Sequence, residues 1–114
     1  MHEASQNAID RFAEALWLED GLAANTLAAY RLDLSLFADW LFLTHSLALE
    51  ATQEHHIQAY FDERHGQTKA TSANRRLTVF KRFFRWALRE RRMTADPTLR
   101  MLAAKQALRV PKTL

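Results

Sequence analysis

The stretch Thr71-Ser72-Ala73-Asn74-Arg75-Arg76-Leu77-Thr78-Val79-Phe80-Lys81-Arg82-Phe83-Phe84-Arg85-Trp86-Ala87-Leu88-Arg89-Glu90-Arg91-Arg92 decides the fold class. On a helix advancing about 100° per residue, Ala73, Leu77, Phe80, Phe83, Phe84, Ala87 and Leu88 fall on one broad face. Such a face has to be buried, so the spacing predicts a long helix over residues 71–92 packed on a core. The opposite face collects Thr71, Asn74, Arg75, Thr78, Arg82, Arg85, Arg89 and Arg92, with no acid among them. Like charges three or four residues apart repel along a helix, and a surface helix with no further role mixes its signs. The unmixed face implies a partner that supplies negative charge. Lys69 before the helix and Lys81 on its flank extend the patch.

Helical spacing continues on both sides of this segment, and no run of strict alternation marks a strand. Upstream, Ser5 stands where an N-cap is needed for a first helix, which carries Ile9, Phe12, Leu16 and Trp17 in one stripe and stops at Gly21. A second helix starts near Asn25, whose short side chain can accept orphan amides, and places Leu27, Tyr30, Leu34, Phe37 and Leu41 on a single face. A third opens at Thr52, carries Glu54 where the helix dipole favours an anion, turns Ile57, Tyr60 and Phe61 inward and stops at Gly66. Downstream, Asp96-Pro97 reads as a cap followed by proline at the first helical position, so a short fifth helix is expected from Pro97 to Ala103. The expected fold class is all-α, a bundle of four to five helices. Lys105 to Leu114 has weak periodicity and ends in Val110-Pro111-Lys112-Thr113-Leu114, the layout of a linker. The expected organisation is one domain over residues 1–104, a linker over 105–114 and a further domain beyond it.

A chain of 114 residues, 48% of them hydrophobic, suffices for one domain with one core. Its two glycines are too few for a phosphate-cradling loop, which needs several residues without a Cβ at fixed spacing. With no cysteine there is no disulfide frame, thiol nucleophile or thiolate metal site. The apolar runs fall well short of the roughly 18 residues of a membrane span, and Met1-His2-Glu3 lacks the basic and then apolar layout of a secretory signal. The expected setting is the cytoplasm, with no membrane partner and no small-molecule ligand.

The net charge of +3 hides a division along the chain. Residues 1–63 hold 2 Lys/Arg against 11 Asp/Glu, a balance of −9, whereas residues 64–114 hold 14 against 2, a balance of +12. A polyanion would meet mainly the second half. The arginine face has the residue types for duplex DNA: Arg for phosphates and guanine edges, Asn for adenine, hydroxyls for phosphate oxygens. On that reading the acids of the other helices face away from the DNA backbone. Three alternatives stand beside it: the two halves neutralise each other in the fold, the face is simply solvated, or it docks an acidic protein.

Other constellations carry less. No two of the five histidines (His2, His45, His55, His56, His65) sit four residues apart, so no metal site and no cofactor is expected. Tyr30 and Tyr60 lie on apolar stripes as core aromatics with a wet hydroxyl. Trp17, Trp40 and Trp86 read as packing residues, and nothing brings Ser, His and Asp together as a triad.

Ala15-Leu16-Trp17-Leu18-Glu19, then Leu22-Ala23-Ala24-Asn25-Thr26-Leu27-Ala28-Ala29-Tyr30-Arg31-Leu32-Asp33-Leu34, and later Lys69-Ala70-Thr71-Ser72 with Arg75-Arg76-Leu77 and Arg82-Phe83-Phe84, resemble the N-terminal core-binding domain of tyrosine recombinases. Within that family they resemble one branch of the bacterial Xer-type members more than its XerC-like counterpart. The resemblance implies a SAM-like helical domain that clamps one side of a duplex recombination half-site. It also implies that Asn25, Thr26 and Arg31 lie beside Lys69, Thr71, Ser72, Asn74, Arg75 and Arg82 at the DNA, and the charged face adds Thr78, Lys81, Arg85 and Arg89. The family's catalytic arginines, lysine, histidine and nucleophilic tyrosine belong to a C-terminal domain, and no segment here matches those motifs. The implied full-length protein exchanges strands through a 3′-phosphotyrosyl intermediate, without metal or nucleotide. It would act with a XerC-like recombinase partner to resolve chromosome dimers at cell division. The core-binding domain of a phage or integron-type integrase is the alternative within the family.

Overall fold

The apolar face of residues 71–92 organises the bundle. In the computed structural model, which describes residues 1–64 and 70–101, it forms helix α4 (Ala70–Arg89) and buries Leu77, Val79, Phe80, Phe83, Phe84, Trp86 and Ala87. Leu88, at the edge of that arc, is exposed instead. The helix stops at Arg89, three residues before the expected end, because Arg91 turns into the left-handed region (φ 61°). The Arg92 amide then donates to Ala87 O at 2.9 Å and the Arg91 amide to Leu88 O at 3.1 Å, the pair of bonds that closes a Schellman motif.

Three further helices pack around α4: α1 (Glu3–Ala15), α2 (Ala24–His45) and α3 (Glu54–Arg64). Among the described residues there is no strand, as the periodicity predicts. Leu34, Phe37 and Leu41 of α2 meet Ile9 and Phe12 of α1 and Ile57 and Tyr60 of α3 in one core. Aromatic rings join the layers: Phe12 stands edge-on to Phe83 at 5.3 Å, and Phe37 packs against Phe80 at 4.9 Å and Tyr60 at 5.0 Å. Trp40 is half-buried, and its Nε1 donates to Glu63 at 3.1 Å. No helix among the described residues is long and apolar enough to cross a membrane.

Several element ends differ from expectation. His2, not Ser5, caps α1, its Nδ1 accepting from the Ala4 amide at 3.0 Å. Ser5 lies one turn in and buried, where its hydroxyl oxygen accepts the Leu49 amide at 2.8 Å and ties α1 to the 3₁₀ turn Leu49–Ala51. Beyond Ala15 the chain widens into a π-helical turn, Leu16–Asp20, closed by Gly21 at φ 64° as the glycine predicts. The wider turn rotates Trp17 off the inward stripe and leaves it 55% exposed. Helix α2 starts at Ala24 with Ala23 at the cap, although the Asn25 Oδ1 does accept the Thr26 amide at 3.0 Å.

Thr52 is buried ahead of α3, which begins at Glu54, and the His56 Nδ1 accepts the Gln53 amide at 3.0 Å to finish that terminus. Gly66 lies outside the described residues. At the expected fifth helix, Asp96 acts as a cap: its Oδ1 accepts the Thr98 amide at 2.8 Å and the Thr98 hydroxyl at 2.6 Å. What it caps is a pair of turns, with bonds three residues apart from Leu99 to Asp96 and from Met101 to Thr98, and no α-helix forms up to Met101. The linker stretch 105–114 lies outside the described residues.

Candidate nucleic-acid interface

The polar side of α4 forms one continuous surface. Thr71, Arg75, Thr78, Arg85 and Arg89 are exposed along it, with Asn74 and Arg82 half-buried between them. Ser72, next to Thr71 and about 100° round the helix from it, sits on a flank. On the other flank the Lys81 Nζ donates to the Thr98 carbonyl at 2.7 Å and so pins the turn after α4. Lys69 lies outside the described residues.

The acids do not face away from this surface. Asp33 of α2 meets Arg75, Asp20 of the π turn lies 3.6 Å from Arg82, and Glu19 of the same turn takes Arg89 at 3.1 and 3.2 Å. Beyond the helix, Glu50 pairs with Arg92 at 3.0 Å and Glu54 with Arg100 at 2.9 Å. The negative charge missing from the sequence of α4 is therefore supplied in part by neighbouring elements. Arg85 meets no carboxylate among the described residues.

Arg75 is the most firmly held. Its Nε donates to Asp33 Oδ2 and its Nη2 to Oδ1, both at 3.0 Å, with the Asp33 side chain 3% exposed and the arginine 46%. The fork uses one edge of the guanidinium and leaves Nη1 outside it. The hydrogen bond and then the charge of Asp33 strengthen the hold of Arg75 on its proton. Two turns further along, Arg82 reaches the Tyr30 hydroxyl at 3.4 Å and lies 5.9 Å from the centre of that ring. Tyr30 and Asp33 thus make α2 the second wall of the surface.

Arg31 is on the other side of α2. Residues 31 and 33 are about 200° apart round a helix, and with Asp33 turned to α4, Arg31 turns to α1, where its Nη1 meets Asp10 at 2.6 Å. That hydrogen bond holds the Asp10 carboxyl below the ordinary carboxylate range. Asn25 is exposed and Thr26 half-buried at the start of α2. The fold therefore gathers the α4 residues, and it does not bring Arg31 to them.

Residues 9–91 of this helical bundle match the family model for the phage integrase N-terminal SAM-like domain. The chain belongs to that family. Among curated proteins, this SAM-like integrase domain is 57% identical over 111 residues to the tyrosine recombinase XerD of Ralstonia nicotianae, a match covering 97% of the chain and 36% of that protein. It is 40% identical over 115 residues to the tyrosine recombinase XerD of Yersinia pestis, covering all of the chain and 38% of that protein. For the tyrosine recombinase XerD of Proteus mirabilis the figures are 39% over 107 residues, 93% and 34%. The chain thus spans just over a third of the length of the curated relatives it matches. No solved structure matches.

Sequence reasoning missed four residues that shape this surface: Glu19, Asp20, Tyr30 as a partner of Arg82, and Asp33. Asp33 had a signal, since it sits between Tyr30, Leu34 and Phe37 on the inward side of α2, where a carboxylate needs a cation. Glu19 and Asp20 had none, because their direction follows from the π turn. Elsewhere in the SAM-like integrase domain, Arg64 and Arg76 cover the Tyr60 ring at 4.5 and 5.9 Å. The Tyr60 hydroxyl is buried rather than wet, without a hydrogen-bond partner among the described residues, and burial raises its pKa. The rings of His45, His56 and His55 lie side by side, tilted, with centres 4.7 and 4.1 Å apart, yet no group of three or more His, Cys, Asp or Glu among the described residues is arranged to hold a metal ion.

Proposed function

We propose that this chain is the duplex-DNA-binding domain of a XerD-like site-specific tyrosine recombinase. The observation that carries the reading is the polar surface of α4, where Thr71, Asn74, Arg75, Thr78, Arg82, Arg85 and Arg89 follow one another along a helix of 20 residues. Such a helix is about 30 Å long, close to one turn of duplex at about 34 Å. Arginines engage phosphates and guanine edges, Asn74 an adenine edge, and the hydroxyls phosphate oxygens. Asn25 and Thr26 at the start of α2, with Ser72 and Lys69, border the same contact. Lys81 acts at its margin, where it holds Thr98, whereas Arg31, paired on the α1 side, stands apart from the α4 contact.

In the longer proteins named as its relatives, such a domain serves a recombinase that cuts and rejoins DNA. The catalytic residues of that reaction lie outside this chain. The full protein acts with a XerC-like partner in the bacterial cytoplasm to resolve chromosome dimers at cell division, and DNA binding requires no cofactor.

The test is a titration of the chain onto duplex DNA at several salt concentrations, for the wild type and for Arg82→Ala/Arg85→Ala. Affinity is expected to fall as salt rises, with the slope of log K against log salt shallower in the variant by about 0.9 for the phosphate contact of Arg85 and by less for that of Arg82, which has to leave Asp20. Arg75 is avoided because its removal would strand Asp33. Salt-independent affinity, or a variant that binds like the wild type, would remove α4 from the interface.

A further inference from the structure

The arginines of α4 differ in what holds them. Arg75 faces a buried carboxylate, and withdrawing it would leave the Asp33 charge uncompensated in the interior, so that pair is permanent. Arg82 and Arg89 face Asp20 and Glu19, with all four side chains between 36% and 53% exposed, and Arg89 also meets its neighbour Glu90 at 3.2 Å. Exposed pairs are weak and screened by salt, so their partners can be exchanged. Both acids come from the π-helical turn that Gly21 closes. They line a cleft of about 260 Å³ with Leu16, Trp86 and the guanidiniums of Arg82, Arg85 and Arg89. Three cations and two carboxylates thus share one opening on the proposed DNA-facing side.

We infer that Glu19 and Asp20 are a built-in stand-in for DNA phosphates, occupying Arg89 and Arg82 in the free chain and acting as a brake on sequence-independent binding. The inference rests on the DNA-binding reading of α4. When phosphates take the two arginines, one anion replaces another, and the freed carboxylates recruit cations from solution. Net counterion release is then smaller than the number of arginines suggests, and so is the affinity for arbitrary duplex. Arg85, which meets no carboxylate among the described residues, supplies the first attraction.

The experiment compares the wild-type chain with Glu19→Gln/Asp20→Asn and with Glu14→Gln/Asp62→Asn, which removes the same charge from positions that pair with no described arginine. Each binds a mixed-sequence duplex between 50 and 200 mM salt, and circular dichroism verifies that each is folded. The Glu19/Asp20 variant is expected to bind more tightly at 50 mM. Its salt slope is expected to steepen by about 0.9 for each arginine released, so the ratio of affinities across that range grows about 3.5-fold for one and about 12-fold for two. An unchanged affinity and slope, or an equal change in the Glu14/Asp62 variant, would overturn the inference while leaving the DNA-binding reading in place. No binding by any of the three would overturn both. Asp20→Asn alone, which frees Arg82 from its carboxylate among the described residues and is expected to give the smaller of the two increments, keeps the test decisive if the double variant fails to fold.

Discussion

Asp33 shows how one residue serves both fold and surface. A carboxylate at 3% exposure is tolerated in the interior because the Arg75 fork satisfies both its oxygens at 3.0 Å. Removing a partner from a fully buried pair costs about 3–5 kcal/mol, and because the guanidinium is 46% exposed we expect about 2–3 kcal/mol for Arg75→Ala. Asp33→Ala/Arg75→Ala is expected to cost less than the sum of the single changes, by a coupling of about 1–2 kcal/mol in a urea-denaturation double-mutant cycle. Strict additivity would mean that the two side chains do not depend on each other. Arg75→Lys should not restore the lost stability, since a single ammonium cannot span both carboxylate oxygens.

At the scale of the element, α4 separates two duties by face. Phe83 lies in the core against Phe12, Phe84 and Trp86 at ring distances of 5.3, 5.0 and 5.8 Å. Phe83→Ala is expected to destabilise the chain by about 3–5 kcal/mol, through lost burial and the cavity it leaves. Thr78→Ala, one turn and a half away on the exposed face, should shift stability by no more than about 0.5 kcal/mol. Thermal or urea unfolding of the two variants distinguishes these outcomes, and a similar loss at both positions would contradict the division of faces. The π turn gives the opposite lesson. Its sequence, Leu16 to Asp20, carries on the apolar spacing of α1, yet the wider turn sends Trp17 outward and Glu19 and Asp20 toward α4.

Across the whole molecule, the acidic first half and the basic second half are stitched together by pairs between elements, α2 to α4 through Asp33 and the π turn to α4 through Glu19 and Asp20. Acid is expected to loosen the assembly first at the junction of α2 and α3. Burial, then the charges of His55 and His45, hold the His56 imidazole below its ordinary 6.5. With the folded value below the unfolded one, the unfolded chain takes the proton first. The contribution of His56 is thus complete above pH 6.5 and lost as pH falls from there through the folded value. Protonation also removes the Nδ1 lone pair that accepts the Gln53 amide. The urea midpoint should drop between about pH 7.5 and pH 5. His56→Asn, whose Oδ1 can accept the same amide, should flatten that drop, and an undiminished slope would exclude His56 as its source. The pair of Asp10 with Arg31 weakens only as pH falls below the ordinary 3.8 of the carboxyl, so the two windows do not overlap.

The sequence by itself determined that the chain is helical, which faces of α2 and α4 are buried, that Gly21 ends the first segment, and that an arginine surface runs along α4. These follow from a local rule: side chains recur every 3.6 residues, so burial leaves its mark in spacing alone. The motifs of the integrase SAM-like family were legible for the same reason, being short and contiguous. Only the tertiary structure decided which charges meet. Asp33 and Arg75 are 42 positions apart, and Glu19 and Arg89 are 70. No local pattern encodes such pairs, because they depend on how one helix crosses another and on the extra residue in a π turn. The same crossing turned Arg31 toward Asp10, exposed Trp17 and drew Ser5 away from the cap into a bond with Leu49. Spacing along one helix set where the arginines stand, and packing between helices set which of them are already paired.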